Sequence, residues 1–83
     1  MKVIVVYDIP VEYPRLRDMV REFLKDLGGT FIQYSVYEAD LDEEGLRELI
    51  SGLEALLRRG GGKVDIFLPC SRCYSKIRII DTY

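Results

Sequence analysis

The feature that most constrains this chain is the β-branched run Val3-Ile4-Val5-Val6, which begins after Lys2 and continues into Tyr7. Branched side chains favour strands because they pack well on a pleated surface. A run without polar alternation is typical of a strand covered on both faces, and therefore of a central strand. We therefore predict a central strand over residues Lys2–Tyr7, ended by Asp8 and the Ile9-Pro10 pair.

A helical pattern follows the first strand. Pro14 suits the first turn of a helix, where no backbone N–H is needed. Gly28-Gly29 ends the helix because glycine tolerates the left-handed conformation of a C-terminal cap. Between them, apolar residues recur at the spacing of one helical face, namely Leu16, Val20, Phe23, Leu24 and Leu27.

Residues 30–39 are rich in β-formers but long for one strand, so we predict two paired strands with a tight connection near Tyr34-Ser35. Asp40 or Asp42 then caps a second helix, because a short acidic side chain can accept hydrogen bonds from its first N–H groups. The apolar stripe of that helix comprises Leu46, Leu49, Ile50, Leu53, Leu56 and Leu57.

Two alternating segments complete the pattern. Residues 64–68 predict a fourth strand that Pro69 ends, and residues 77–80 predict a short fifth strand that pairs with an open sheet edge, either its own or a partner's. The fold class is therefore α+β, with the ferredoxin-like order βαββαβ and a short extra C-terminal strand. Both helices would cover one face of the sheet, and a symmetric homodimer would cover the other.

Length and composition indicate one small domain over residues 1–83. No apolar run approaches the roughly 18 residues of a membrane span, and no signal-peptide pattern is present, so we expect a cytosolic protein. The net charge of −2 hides an uneven distribution: residues 58–83 carry six bases against Asp65 and Asp81. A nearly neutral total can therefore include a basic patch.

Asp8 is the leading candidate for chemistry. It follows an apolar strand, where a carboxylate must be solvated, paired or bound to a metal. The structural alternative is a strand-end aspartate that accepts backbone N–H bonds and starts a turn. The chain lacks histidine, the commonest general base, so hydrolysis would depend on a metal-activated water. Glu38 and Asp40 are the next carboxylate candidates.

Six basic residues could contact the phosphates of a nucleic acid. For the bases of the first helix, local ion pairs between Asp18 and Arg21, and between Glu22 and Lys25, are the structural alternative. The bases of the tail lack close acidic neighbours before Asp81 and are the better phosphate candidates. The predicted contacts are Arg15, Arg17, Arg21, Arg72, Lys76 and Arg78.

Cys70-Ser71-Arg72-Cys73 is a single C-x-x-C pair. Two thiolates in a chain without histidine cannot complete a tetrahedral zinc site within that chain, although a dimer could pool four thiolates. A redox role would need a helix to begin after the first cysteine, whereas we predict a strand-like tail. We therefore interpret them as incidental turn residues and assign them no function.

Taken together, these motifs resemble the CRISPR-associated Cas2 family over nearly the whole chain. The resemblance is carried by V-V-Y-D-I at residues 5–9, Arg17 in the first helix, the glycine stop, F-I-Q-Y-S-V-Y-E at residues 31–38, and the acidic start of the second helix. Many relatives carry a basic residue where this chain has Phe31, and usually Phe where it has Tyr37. Asp8 and Arg17 match the family pattern, and Ser35 is a weaker match.

The resemblance implies a symmetric dimer in which Asp8 of each subunit faces a divalent metal, Mg²⁺ or Mn²⁺. It implies a metal-dependent endonuclease acting on single-stranded RNA or double-stranded DNA. It also implies a second, non-catalytic role as a scaffold that binds DNA and the CRISPR integrase during spacer acquisition. A small-molecule regulatory module ranks last, because the turn at residues 9–11 lacks the glycines that would cradle a ligand.

Overall fold

The computed structural model describes residues 1–82, and the order of elements within them is ferredoxin-like. The predicted α+β class and the βαββαβ order are confirmed. The elements are β1 (Lys2–Asp8), α1 (Pro14–Asp26), β2 (Thr30–Gln33), β3 (Val36–Asp40), α2 (Glu43–Leu57), β4 (Lys63–Phe67) and a short α3 (Ser71–Tyr74).

Within residues 1–82 the strands form one antiparallel sheet in the order β2-β3-β1-β4, so β1 is central as predicted. Val5 lies opposite Tyr37 of β3 on one side and Ile66 of β4 on the other. The split of residues 30–39 into two strands joined at Tyr34-Ser35 is also confirmed.

The core lies on one face of the sheet, against both long helices. Val3, Val5 and Tyr7 of β1 are buried there, whereas the alternate residues Ile4 and Val6 are only partly buried. The prediction that β1 is covered on both faces is therefore wrong for the single chain. We call the other side of the sheet the open face; its partly buried and exposed apolar residues include Ile4, Val6, Val36 and Phe67.

Both long helices begin and end close to the predicted residues. In α1 the side chains of Leu16, Val20 and Leu24 are buried, and Gly28 has a φ of +85°, the conformation for which glycine was expected. Helix α2 is capped by Asp42, whose carboxylate accepts a hydrogen bond of 2.7 Å from the Gly45 N–H. No helix within residues 1–82 is long and apolar enough to cross a membrane.

The C-terminal segment departs from the prediction. Instead of the short fifth strand expected over residues 77–80, the chain forms α3 and then continues without regular structure. The N–H of Lys76 donates to the carbonyl of Cys73, and that of Ile77 to the carbonyl of Tyr74. The N–H of Ile77, the first residue of the predicted strand, therefore closes a helical turn and is not available to a strand partner.

The C-terminal segment attaches to the open face. The hydroxyl of Tyr74 donates a hydrogen bond of 2.9 Å to Glu38 Oε2, and the Lys2 ammonium lies 4.9 Å from the centre of the Tyr74 ring. Further along, residues 79–81 line a cavity with residues 32–34 at the end of β2. The tail therefore begins at the Lys2 end of β1 and reaches the β2–β3 turn.

Candidate active site

Asp8 occupies the end of the central strand with its side chain exposed. Among residues 1–82, its carboxylate takes part in no hydrogen bond or ion pair. Lys63, its register partner on β4, instead pairs with Asp65 at 3.4 Å. The alternative in which Asp8 caps the following turn is therefore not what the structure shows, and the carboxylate is available to a ligand.

The β2–β3 turn is held beside this end of β1. The N–H of Tyr7 donates to the Ser35 carbonyl at 3.1 Å, and its hydroxyl donates to the Tyr34 carbonyl at 3.0 Å. Ser35, the weaker match to the family pattern, therefore lies next to the strand residue that precedes Asp8. Sequence reasoning did not assign Tyr7 this positioning role, because the apolar run indicated only core packing.

Arg17 is anchored directly beyond Asp8. Its Nη2 donates a hydrogen bond of 3.3 Å to the carbonyl of Ile9, and its side chain is half-buried. This contact places a permanent positive charge beside the loop that follows Asp8. The structure thus places Arg17 against the residue that directly follows Asp8.

Arg21 contacts the β2–β3 turn and not the acidic residue proposed as its partner. Its Nη1 donates to the Tyr34 carbonyl at 2.9 Å, and its guanidinium lies 3.9 Å from the centre of the Phe31 ring. The expected Asp18–Arg21 pair does not form, whereas the Glu22–Lys25 pair does, at 3.7 Å. Arg21 therefore holds the turn, and only its remaining donors could contact a phosphate.

Arg15 is exposed on the first turn of α1 and lines a cleft of about 450 Å³ together with Arg59 from the end of α2. Arg59 is not among the phosphate contacts predicted from the sequence. The cleft therefore adds a second cation near Arg15, which sequence spacing could not reveal because the two residues lie on different helices.

The structure places Arg72, the first of the tail bases, at the end of β1 opposite Asp8. Helix α3, which carries Arg72, lies near Lys2, and a rise of about 3.3 Å per residue separates Lys2 from Asp8 by about 20 Å along β1. Arg72 and Lys76 are exposed, while Arg78 donates to the carbonyls of Ser75 and Ile77. Arg72 therefore lies apart from the Asp8 end of β1, whereas Arg78 directly precedes residues that line a cavity with the β2–β3 turn.

The other carboxylate candidates lie away from Asp8. Glu38 accepts the hydroxyl hydrogen bond of Tyr74, and Asp40 pairs with the N-terminal ammonium at 3.0 Å and with Lys2 at 3.4 Å. These cations hold the pKa of Asp40 below its ordinary value. No group of three or more metal-ligating side chains occurs in the described part of the chain, so a single copy holds no such cluster around Asp8.

The fold and this strand end define a ferredoxin-like α+β protein with an unpaired carboxylate at the end of the central strand. The family model described as CRISPR associated protein Cas2 matches residues 1–77. The chain is also 35% identical over 79 residues to a CRISPR-associated endoribonuclease Cas2 of Desulforudis audaxviator strain MP104C, covering 95% of this chain and 70% of that protein. The chain belongs to the Cas2 family.

A solved structure supports the fold independently. The crystal structure of Streptococcus pyogenes Cas2 at pH 6.5 superposes with a TM-score of 0.82 and covers 98% of this chain and 100% of its own. The sequence identity is 19%, so this likeness concerns the fold alone.

Proposed function

We propose that this chain is a cytosolic, homodimeric endonuclease of CRISPR adaptation that hydrolyses phosphodiester bonds in single-stranded RNA or duplex DNA. The observation that carries the proposal is the exposed Asp8 carboxylate, which the fold leaves without a partner at the end of β1. The printed name of the Desulforudis relative, an endoribonuclease, supports the same class of reaction.

The donor chemistry of Asp8 fits Mg²⁺ or Mn²⁺. These ions prefer oxygen ligands, and Mg²⁺ sites commonly use one or two carboxylates together with waters and substrate phosphate. A two-fold axis near the end of β1 would place Asp8 of a second copy opposite the first and provide the second carboxylate. When bound there, the metal would lower the pKa of a bound water and offset charge on the phosphate.

The remaining residues would bind and orient the nucleic acid. Arg17 uses Nη2 on the Ile9 carbonyl, so the rest of its guanidinium can reach a phosphate held near Asp8. Phe31 replaces the basic residue of many relatives, but the Arg21 guanidinium stacks on its ring at 3.9 Å. We propose that Arg21 supplies the positive charge that Phe31 does not.

The open face supports the homodimer. Ile4 and Val6 are only partly buried, and Phe67 remains 53% exposed, on a face that is flanked by polar residues. Covering such apolar surface is favourable by roughly 25 cal/mol per Å². We propose that a second copy covers this face and brings the two Asp8 residues to a common axis.

A specific observation favours a second role, as a scaffold for DNA and the CRISPR integrase. Helix α3, which carries the exposed Arg72, is attached beside Lys2, a residue about 20 Å from Asp8 along the strand direction. Duplex binding through Arg72 and Lys76 would therefore not require the proposed metal site. Such binding should weaken by roughly 0.9 log units per log unit of salt for each phosphate contact.

A cleavage assay distinguishes the two roles. Wild type, Asp8→Asn and the control Asp18→Asn are incubated with labelled single-stranded RNA and duplex DNA, with Mg²⁺, Mn²⁺ or EDTA. Asp18 is a suitable control because it is exposed on α1. We expect metal-dependent cleavage by wild type and by Asp18→Asn. The cleavage rate of Asp8→Asn should fall by more than about 100-fold, because loss of a residue that only supports a metal ligand already costs about 10–100-fold in activity.

Two other results would reject parts of this proposal. Cleavage by Asp8→Asn at the wild-type rate would reject Asp8 as the metal ligand. Absence of cleavage by all three variants, together with salt-dependent duplex binding that Arg72→Ala and Lys76→Ala weaken, would leave the scaffold role alone.

A further inference from the structure

The cysteine pair lies in a local structure that the sequence did not predict. Helix α3 begins directly after Cys70, and its first turn is closed by hydrogen bonds from the Tyr74 N–H to the Cys70 carbonyl at 2.8 Å and from the Ser75 N–H to the Ser71 carbonyl at 3.0 Å. Both thiols are free and exposed. The strand-like tail, which argued against a redox role, is therefore absent at these residues.

We propose that Cys70 and Cys73 form a reversible dithiol–disulfide site. Residues three apart on a helical turn have Cβ atoms roughly 5–6 Å apart, and a disulfide needs roughly 3.5–4.5 Å. A small rearrangement of this exposed turn would therefore be enough for bonding. Both thiols are exposed, one at the residue that precedes the helix and the other on its first turn, so no buried group has to move for the sulfurs to meet.

The attachment of α3 leaves the pair accessible. Tyr74 binds Glu38 and lies beneath the Lys2 ammonium, which holds the helical turn on the open face. The cysteines take no part in that attachment. A change of redox state at residues 70 and 73 can therefore occur without breaking the contact between Tyr74 and the sheet.

The two thiols are chemically unequal. The backbone N–H of Cys73, and then its thiol, lower the pKa of Cys70 below its ordinary value. The pKa of Cys73 is raised, because its proton is shared with Cys70 and a nearby negative sulfur opposes its ionisation. Since the thiolate is the nucleophile, Cys70 is the attacking residue and Cys73 the resolving one.

The exchange balances with a low-molecular-weight disulfide as the oxidant. The Cys70 thiolate attacks one sulfur of the small disulfide, forms a mixed disulfide and releases one small thiolate. Cys73 then loses its proton and attacks Cys70 Sγ, which releases the second small thiolate and closes the protein disulfide. The protein is oxidised by two electrons, and the small disulfide is reduced to two thiols.

Oxidation with glutathione disulfide, followed by alkylation of remaining thiols and intact-mass analysis, tests the proposal. We expect wild type to lose two hydrogens, to resist alkylation and to run as a single chain without reductant. Cys73→Ser should retain one glutathione, because the resolving thiol is missing. It should also react several-fold faster near neutral pH than Cys70→Ser, whose remaining thiol lies at position 73.

Three results would overturn the proposal. The first is that wild type retains glutathione as stably as Cys73→Ser. The second is that wild type forms disulfides between chains. The third is that the two single variants react at equal rates. Circular dichroism and size exclusion of each variant confirm that folding and assembly are unchanged. The readout is a mass and not an activity, so it is independent of the proposed nuclease.

Discussion

The Asp8 end of the sheet and the C-terminal segment both carry the charges expected for nucleic-acid chemistry, but they are held very differently. At the Asp8 end, hydrogen bonds from Tyr7, Arg17 and Arg21 fix the carbonyls of the loops on either side. The C-terminal segment is attached mainly through Tyr74, and Ile80 beyond it is 90% exposed.

The difference shows how a fold can hold the backbone of a functional residue in place while its side chain remains free. Cationic and phenolic donors satisfy the loop carbonyls near β1, so the backbone there is fixed without using the Asp8 carboxylate. In the C-terminal segment Arg72 and Lys76 are exposed on a short helical turn whose backbone hydrogen bonds are local. The first arrangement suits chemistry at one atom, and the second suits charge-based binding that tolerates movement.

The largest expected difference between the two regions is in the cost of removing an arginine. Arg21→Ala removes a hydrogen bond to the Tyr34 carbonyl and the stacking on Phe31, and should lower the free energy of unfolding by about 2 kcal/mol. Arg72→Ala, at an exposed site of α3, should change it by less than about 0.5 kcal/mol. Urea unfolding of both variants measures the contrast. Equal effects would mean that Arg21 does not hold the β2–β3 turn.

A smaller effect is expected at the contact that attaches the C-terminal segment. Tyr74→Phe removes the hydroxyl that donates to Glu38 and should lower the free energy of unfolding by no more than about 1 kcal/mol. Amide hydrogen exchange should nevertheless accelerate for residues 74–77, whose N–H groups close the α3 turn. Unchanged exchange rates at these residues would show that the turn does not depend on the Tyr74–Glu38 contact. Tyr13→Phe, on the opposite side of the fold, is the control variant.

The smallest effect concerns the ion pairs at the start of β1. The N-terminal ammonium and Lys2 lower the pKa of Asp40 in the folded chain, so their stabilisation is present above the ordinary aspartate pKa of about 3.9. It should be lost as the pH falls through the lowered folded value. Thermal unfolding of wild type and Asp40→Asn should therefore differ slightly at pH 6 and converge near pH 2. A difference that persists at pH 2 would contradict the assignment.

Periodicity was sufficient to predict the sheet and the long helices. The β-branched run defined β1, the stripe from Leu16 to Leu27 defined α1, and the glycine pair gave its end. Each of these elements buries one face, so the spacing of its apolar residues indicates both the type of element and the face that packs against the core. The prediction failed at residues 77–80, where alternation of Ile with Arg has no buried face to enforce a strand.

The candidate site was predictable only in part. Asp8 and Arg17 could be named because a polar residue after a buried strand and a family motif both identify them. The role of Arg21 could not, because its partners Tyr34 and Phe31 are distant along the chain and its nearer neighbour Asp18 offered a simpler local pair. The helical turn at Cys70 was missed because its long-range anchors, the Tyr74–Glu38 hydrogen bond and the Lys2 ammonium over the Tyr74 ring, join residues far apart along the chain.

The central claim is that the fold does not use the Asp8 carboxylate, and urea unfolding of Asp8→Asn tests it most directly. Because no hydrogen bond or ion pair within residues 1–82 involves this carboxylate, the free energy of unfolding in EDTA should match that of wild type within about 0.5 kcal/mol. A loss of about 1 kcal/mol or more would show that Asp8 stabilises the strand end, and would contradict its assignment as a free ligand.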